Sequence, residues 1–387
     1  MNENNCRPDA VVVGAGFAGG VLARELAEQG RRVLLLERRP QIGGNMYDYD
    51  RDGVLTHLYG PHIFHTGSRE VYDYLSRFTD WIPYEHRVLG RIRGRHVPIP
   101  FGFRSIDELF PSDRAALLKE KLQREFSGRD RVSVRELLAC GDADIAGLGE
   151  FVFEHVFVHY TAKQWGMPVE QVDTSVIDRV PVVIGYDDRY FRDSIQAMPR
   201  EGYTRLFQRL LDHPNIRVLT GVDAAERLTL GSEGILLDGR LFAGPVVYTG
   251  ALDALFGYRL GELPYRSLRL EFETLPVERF QPASVVNYPN EEDFTRITEF
   301  KQLTGQVFPG ATVILREYPA QYRAGAGMEA YYPIDSEESH ALYRRYRQLA
   351  DAYPNLYLCG RLAEYQYYNM DAAVGAALNL AREIGQK

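Results

Sequence analysis

Apolar positions along this chain keep two periods, and the switches between them mark its elements. Residues 9–37, DAVVVGAGFAGGVLARELAEQGRRVLLLE, open with a continuous apolar run. The run passes through glycines into a helically spaced stretch and ends in a second apolar run closed by an acid. Unbroken apolar runs suit strands buried on both faces, as in parallel sheets. The reading is strand, glycine turn, helix, strand. A helix is expected over 69–78, and VPIPFGF (97–103) reads as an extended, proline-stiffened segment. In 112–126 Leu118, Leu122 and Phe126 recur at i+4, which predicts an amphipathic helix. SVRE (133–136) is a capping box opening a short helix. FVFEHVFVHY (151–160) fits helix or strand and is read as a buried helix from its neighbourhood.

The second half begins with a helix (202–211) and a strand (216–221). GILLDGRLF (234–242) carries an Asp-Gly hairpin signal, and PVVYTG (245–250) is a strand entering a glycine turn. In 267–274 the period is two: Leu268, Leu270 and Phe272 face in, while Arg269, Glu271 and Glu273 face out. Strands are expected near 283–288, 295–301 and 311–317. A helix is expected from Asp335, with Glu338 completing a capping box. NLYLCGR (355–361) is a strand entering a second glycine turn, and 370–385 is a final helix.

At 387 residues the chain is long enough for two or three domains. A net charge of −8 argues against general binding to nucleic acid or membrane surfaces. An anionic substrate then needs local positive contacts. Cys6, Cys140 and Cys359 form no CxxC pair and no disulfide framework, which fits a reducing cytoplasm. Cys359, at the end of an apolar strand, reads as buried packing. No apolar run is long enough to span a bilayer, and the first residues lack a signal-peptide pattern. His62 and His65 have no further ligand cluster around them, so no metal site is expected.

The chemistry starts at the first glycine turn. Gly14 permits the tight turn, Gly16 lets a pyrophosphate approach the backbone, and Gly19 lets helix and sheet pack closely. Glu37 ends the second strand, where a carboxylate can accept from a ribose hydroxyl. The second turn, Cys359-Gly360-Arg361, precedes another helix start at Asn369 to Ala373. Two such helix starts fit a long cofactor with two ends, FAD rather than NAD. The fold class is therefore α/β: a Rossmann-like FAD-binding domain, an inserted helical module and a mixed or antiparallel sheet domain. The boundaries read as 1–84, 203–250 and 335–387 for the FAD-binding domain, and 104–164 for the helical module with an adjoining loop near 165–178. The sheet domain, for substrate, takes 85–103, 165–202 and 251–334.

GAGFAGGVLARELAEQGRRVLLLERRPQIGGN, YGPHIFHT (59–66), PIPF (98–101), YTAKQWG (160–166), TRITEFK (295–301), YYP (331–333) and GRLAEYQYYNMD (360–371) together resemble UDP-galactopyranose mutase, in order along nearly the whole chain. That resemblance implies non-covalent FAD and an isomerase interconverting UDP-galactopyranose and UDP-galactofuranose, which would feed surface glycans. It implies that N5 of reduced FAD attacks the anomeric carbon, with UDP as leaving group and a reductant such as NAD(P)H supplied from outside. It also implies a homodimer. Chemistry carried by a cofactor fits a sequence with no triad or acid–base dyad.

By resemblance Arg179 and Arg296 clamp the diphosphate, where guanidiniums can bind phosphate oxygens bidentately. Tyr160 and Trp165 are similar to a uridine site, followed by a hinge at Gly166-Met167-Pro168. Tyr190 and Phe191 match a second aromatic pair. Asn287, Arg266, His86 and Asn369 are further substrate contacts, Asn369 standing where some members carry aspartate. Tyr332 and Tyr367 are candidates for diphosphate contacts, and Tyr331 could exchange roles with Tyr332. His65 is placed with the catalytic residues. The cofactor set is Gly14, Gly16, Phe17, Ala18, Gly19, Glu37, Arg38, Gly44, Asn45, His62, Ile63, Val222, Gly360, Arg361 and Met370. Two rivals share the glycine turn: an amine-oxidase-like FAD oxidoreductase, and a binding module of the GDP-dissociation-inhibitor kind. A thymidine diphosphate or a modified galactose also fits such a pocket.

Overall fold

The computed structural model describes residues 7–165 and 181–386, the side chains of Gln164 and Trp165 excepted. Cys6, the hinge at 166–168, the loop near 165–178 beyond Trp165, and Arg179 lie outside the described residues.

The centre is a five-stranded parallel sheet ordered 216–220, 33–37, 10–13, 246–248, 356–358. Its middle strand, Ala10–Val13, is buried throughout, which its four apolar side chains allow on both faces. Gly14 then turns the chain at φ +100°. A Cβ on Gly19 would stand 1.9 Å from the Gly14 carbonyl oxygen, so glycine is what lets helix Phe17–Glu28 start against the turn. That helix packs against Met370–Gly385 and Tyr203–Leu211 in one core. The beginning, middle and end of the chain thus share a single apolar interior.

A second, seven-stranded sheet runs 332–333, 265–275, 312–321, 296–299, 285–287, 88–92, 95–99. It is antiparallel except between 285–287 and 88–92. A three-stranded sheet sets Phe64–Thr66 and Trp81–Pro83 on either side of Ile195–Pro199. The helices Phe103–Leu109, Ser112–Glu125, Val134–Leu138 and Ala143–Val152 share a core of their own with strands 88–92 and 95–99. The Asp238-Gly239 turn takes positive φ at both residues, 51° and 73°, as a tight two-residue hairpin requires.

Three elements differ from the sequence expectation. Phe153–Val158 is a π-helical turn joining Ala143–Val152 to His159–Trp165, rather than uninterrupted α-helix. The strand expected over 295–301 ends at Glu299. Phe300–Thr304 coils into a helix because that buries Phe300 and Leu303, and Gly305 closes it in the left-handed region. The late helix is capped one residue later than expected, by Ser336 and Ser339, whose hydroxyls each accept from the other's backbone N–H. Asp335 is turned to His340 instead, at 2.8 Å. No helix among the described residues is long and apolar enough to cross a membrane.

Candidate active site

A cleft of about 740 Å³ lies across the C-terminal ends of the central strands of the parallel sheet. Gly14, Gly16, Phe17 and Ala18 line it at the first turn, with Glu37, Arg38, Gly44, Asn45 and Val222 nearby. His62, Gly360, Arg361, Asn369 and Met370 line its other end. Of the expected cofactor set, Gly19 and Ile63 do not reach it. Gly19 is taken up by packing against the turn, and Ile63, 8% exposed, belongs to the core. Neither Gly16 nor Asn369 caps its helix through a side chain. The positive ends of two helix dipoles therefore border one cleft, although at the second start the Ala372 N–H already donates to Asp371 Oδ1 at 2.7 Å.

Glu37 is buried, with Oε2 accepting from the Ala15 N–H at 2.7 Å and Oε1 from the Arg39 N–H at 2.9 Å. The carboxylate pins the glycine turn, and its remaining lone pairs can still accept from a ribose hydroxyl. Arg39, which sequence reading missed, donates to Glu329 at 2.6 Å and Asn45 at 3.0 Å, and lies over the Tyr59 ring at 4.1 Å. Arg38 reaches Glu329 at 2.7 Å. The doubled arginine after the acid was the available signal. Its partner Glu329 is 290 residues away.

The register of the larger sheet assembles a second group. Asn287 pairs with Arg296, Arg296 with Glu317, and Glu317 with Leu270. Arg266, four residues before Leu270, pairs with Tyr332. Directly opposed residues share a face, as do residues an even number apart. Asn287, Arg296, Glu317, Arg266 and Tyr332 therefore occupy one face. Arg296 Nε donates to Glu317 Oε1 at 2.6 Å; the arginine side chain is 30% exposed and the glutamate 1%. Burial alone would make Arg296 easier to deprotonate, but the Glu317 carboxylate outweighs it, so the charge is held firmly. Burial raises the Tyr160 hydroxyl above its ordinary range, leaving it a protonated donor; Tyr190 is 43% exposed.

Arg361 joins the two regions. It lines the cleft and donates to the carbonyls of Tyr331 and Tyr368, each at 3.1 Å. Its guanidinium lies 4.8 Å from the Tyr332 ring centre and 5.4 Å from that of Tyr367. Tyr332 and Tyr367 are stacked 5.6 Å apart, and Arg266 covers Tyr332 at 5.3 Å. Tyr331, 4% exposed, lines the cleft, whereas Tyr332 sits in this stack.

Four buried or half-buried histidines border these regions. The His57 ring accepts from the His62 N–H at 3.1 Å, and His62 Nδ1 lies 2.8 Å from the Gly60 carbonyl. Burial, reinforced by His57, pushes His62 down to about 3. His86 is 4% exposed and pushed down to about 3 by burial, then by the charge of Arg296. His65 Nδ1 meets Asp193 Oδ2 at 2.8 Å, and its ring stacks on Phe191 at 3.7 Å. Tyr190 is edge-on to His86 at 5.5 Å. Trp165 closes the helix that carries Tyr160. Glu317 and Asp193 were missed as partners because neither stands in a motif. Among the described residues, no group of three or more His, Cys, Asp or Glu could hold a metal ion.

Residues 155–367 match the family model described as UDP-galactopyranose mutase, and residues 12–78 match that of the NAD(P)-binding Rossmann-like domain. The chain is similar to UDP-galactopyranose mutase of Mycoplasma pneumoniae, at 38% identity over 98% of this chain and 96% of that one. It is similar also to dTDP-fucopyranose mutase of Escherichia coli, at 30% identity over 96% and 97%. A crystal structure of reduced UDP-galactopyranose mutase superimposes with a TM-score of 0.70 over 98% of this chain and 94% of that one, at 16% identity. A redesigned putrescine oxidase gives 0.58 at 11% identity, covering 98% and 99%. These two likenesses are of fold.

Proposed function

This chain belongs to the UDP-galactopyranose mutase family of isomerases, and from that premise we propose that it binds FAD and interconverts UDP-galactopyranose and UDP-galactofuranose. The observation that carries the reading is the bridge at Arg361. It ties a dinucleotide-sized cleft to a face bearing a firmly charged guanidinium and stacked tyrosines. FAD suits the cleft because its two ends meet two uncapped helix starts. Gly16 and Gly44 also line it so closely that a Cβ on Gly44 would stand 2.9 Å from Gly16 Cα.

When bound and reduced, the flavin would supply the electron pair that displaces UDP from the anomeric carbon. Arg296 takes the departing diphosphate, with Arg179 as its expected partner. Glu317 pins Nε and leaves the terminal nitrogens of Arg296 for phosphate oxygens. Tyr332 and Tyr367 offer hydroxyl donors from one stack. Tyr160 and Trp165 hold the uracil, Tyr190 and Phe191 border it, and Asn287 hydrogen-bonds the substrate beside Arg296. His86, kept neutral, can accept from a hydroxyl without adding charge. Asn369 brings no negative charge where the diphosphate must sit. The segment near 165–178 is proposed as the lid excluding water. A cytoplasmic homodimer reduced by NAD(P)H completes the reading.

One observation favours a second nucleotide: the E. coli relative acts on a dTDP-sugar by name and aligns over 96% of this chain. The test is to mix purified protein with UDP-galactofuranose, with and without dithionite, and follow UDP-galactopyranose by chromatography. Conversion only after reduction is expected. Arg296→Ala should retain flavin yet turn over roughly 100-fold more slowly or worse. A flavin-loaded protein that converts only dTDP-fucofuranose would move the assignment to the second nucleotide.

A further inference from the structure

Asp193 and Gln196 belong to none of the motifs that carry the family resemblance, yet they build the frame around His65. His65 sits on strand Phe64–Thr66 directly opposite Gln196 on strand Ile195–Pro199. Gln196 Oε1 accepts from the His86 N–H at 3.2 Å, and its Nε2 donates to the Phe191 carbonyl at 3.0 Å. One side chain therefore fixes the backbone of both rings that flank the site. Phe191 stacks on His65 at 3.7 Å and 13°, and on His86 at 5.6 Å and 26°. The three rings form a run that ends beside Arg296, whose charge acts on His86. Within this frame the Asp193 carboxylate lies 2.8 Å from His65 Nδ1, and the His65 side chain is 12% exposed. Among the described residues Nε2 has no hydrogen-bond partner.

We propose that Asp193 is a positioning residue. It holds the His65 ring proton on Nδ1, so that Nε2 presents a lone pair to a sugar hydroxyl in the proposed mutase site. A carboxylate accepts only, so the nitrogen facing it must carry the hydrogen, and the neutral ring then has its acceptor on the far side. A ring fixed by a carboxylate behind and an aromatic face beside it loses little freedom when a hydroxyl docks. The role rests on the mutase reading; the tautomer does not.

Two measurements test it on the flavin-loaded full-length protein. Ring-15N NMR of histidine-labelled protein, with His65→Gln used for assignment, should show His65 protonated at Nδ1 and bare at Nε2. In Asp193→Ala that preference should be lost. In parallel, Asp193→Ala should lower kcat for UDP-galactofuranose about 10- to 100-fold with KM changed less than about threefold, and Asp193→Glu should recover part of it. Unchanged visible flavin absorbance in both variants marks them as folded. A wild-type His65 bare at Nδ1, or Asp193→Ala with kcat within twofold of wild type, overturns the proposal. Wild-type protein that converts no nucleotide sugar while His65 keeps the Nδ1 proton would instead count against the mutase reading.

Discussion

At Arg296, charge is a matter of register. Glu317 lies directly across the sheet, buried, and its carboxylate fixes and compensates a half-sheltered guanidinium where a diphosphate is to bind. The histidines show the opposite behaviour. His57 and His86, 1% and 4% exposed, are each pushed down to about 3 by burial from an ordinary value of 6.5. Their folded values lie below the unfolded ones. Their contribution is therefore complete above pH 6.5 and is lost as pH falls toward 3, because the unfolded chain binds protons that the fold excludes. Each ring should cost up to about 1.4 kcal/mol per pH unit across that window. Urea midpoints measured at pH 7 and pH 5 should show the protein clearly weaker at the lower value; equal midpoints would contradict neutral burial. Arg296 and Tyr160 could be picked out from their motifs. Glu317, Asp193 and Glu329 could not, since each acts on a residue at least 21 positions away.

The elements most legible in the sequence were those whose cause is local. The Ala10–Glu37 unit combines buried apolar strands with a glycine at φ +100°, and spacing alone announces it. Its geometry also makes a sharp prediction. A Cβ on Gly14 would stand 2.1 Å from Thr249 Oγ1 at a φ that side chains disfavour. Gly14→Ala should destabilise the protein by at least about 1–2 kcal/mol and strip it of flavin. Thermal melting and visible absorbance check both, and a variant as stable and as yellow as wild type would remove the turn from its assigned place. The late helix start at Ser336 and the strand end at Glu299 were misjudged by a residue or two, and the short helix after it was not expected, because competing caps and buried apolar side chains decide such ends. The π-helical turn at Phe153–Val158 leaves no periodic signature in six residues.

Across the whole molecule, the cleft is walled by segments from 13 to 373, so no part of the chain holds it alone. Any ligand there links distant segments and favours the folded state by mass action. Flavin-free protein given FAD at 100 times its dissociation constant should gain about 2.7 kcal/mol in stability, read from denaturant curves. ADP at the same multiple of its own constant should gain as much. A folded protein that gains nothing from FAD would point to the binding-module rival named at the outset.

Spacing along the chain was enough for the α/β class, the glycine turns, the acid at 37 and the motif residues, because turns, helix faces and strand faces depend on neighbours a few residues apart. The two-sided site was not available that way. Which carboxylate secures Arg296, which acid stands behind His65, and which of Tyr331 and Tyr332 meets the cleft depend on strand register and on packing between segments hundreds of residues apart. A one-residue slip in pairing turns each strand side chain to the opposite face. Only the closed core, with both sheets in place, selects among those registers.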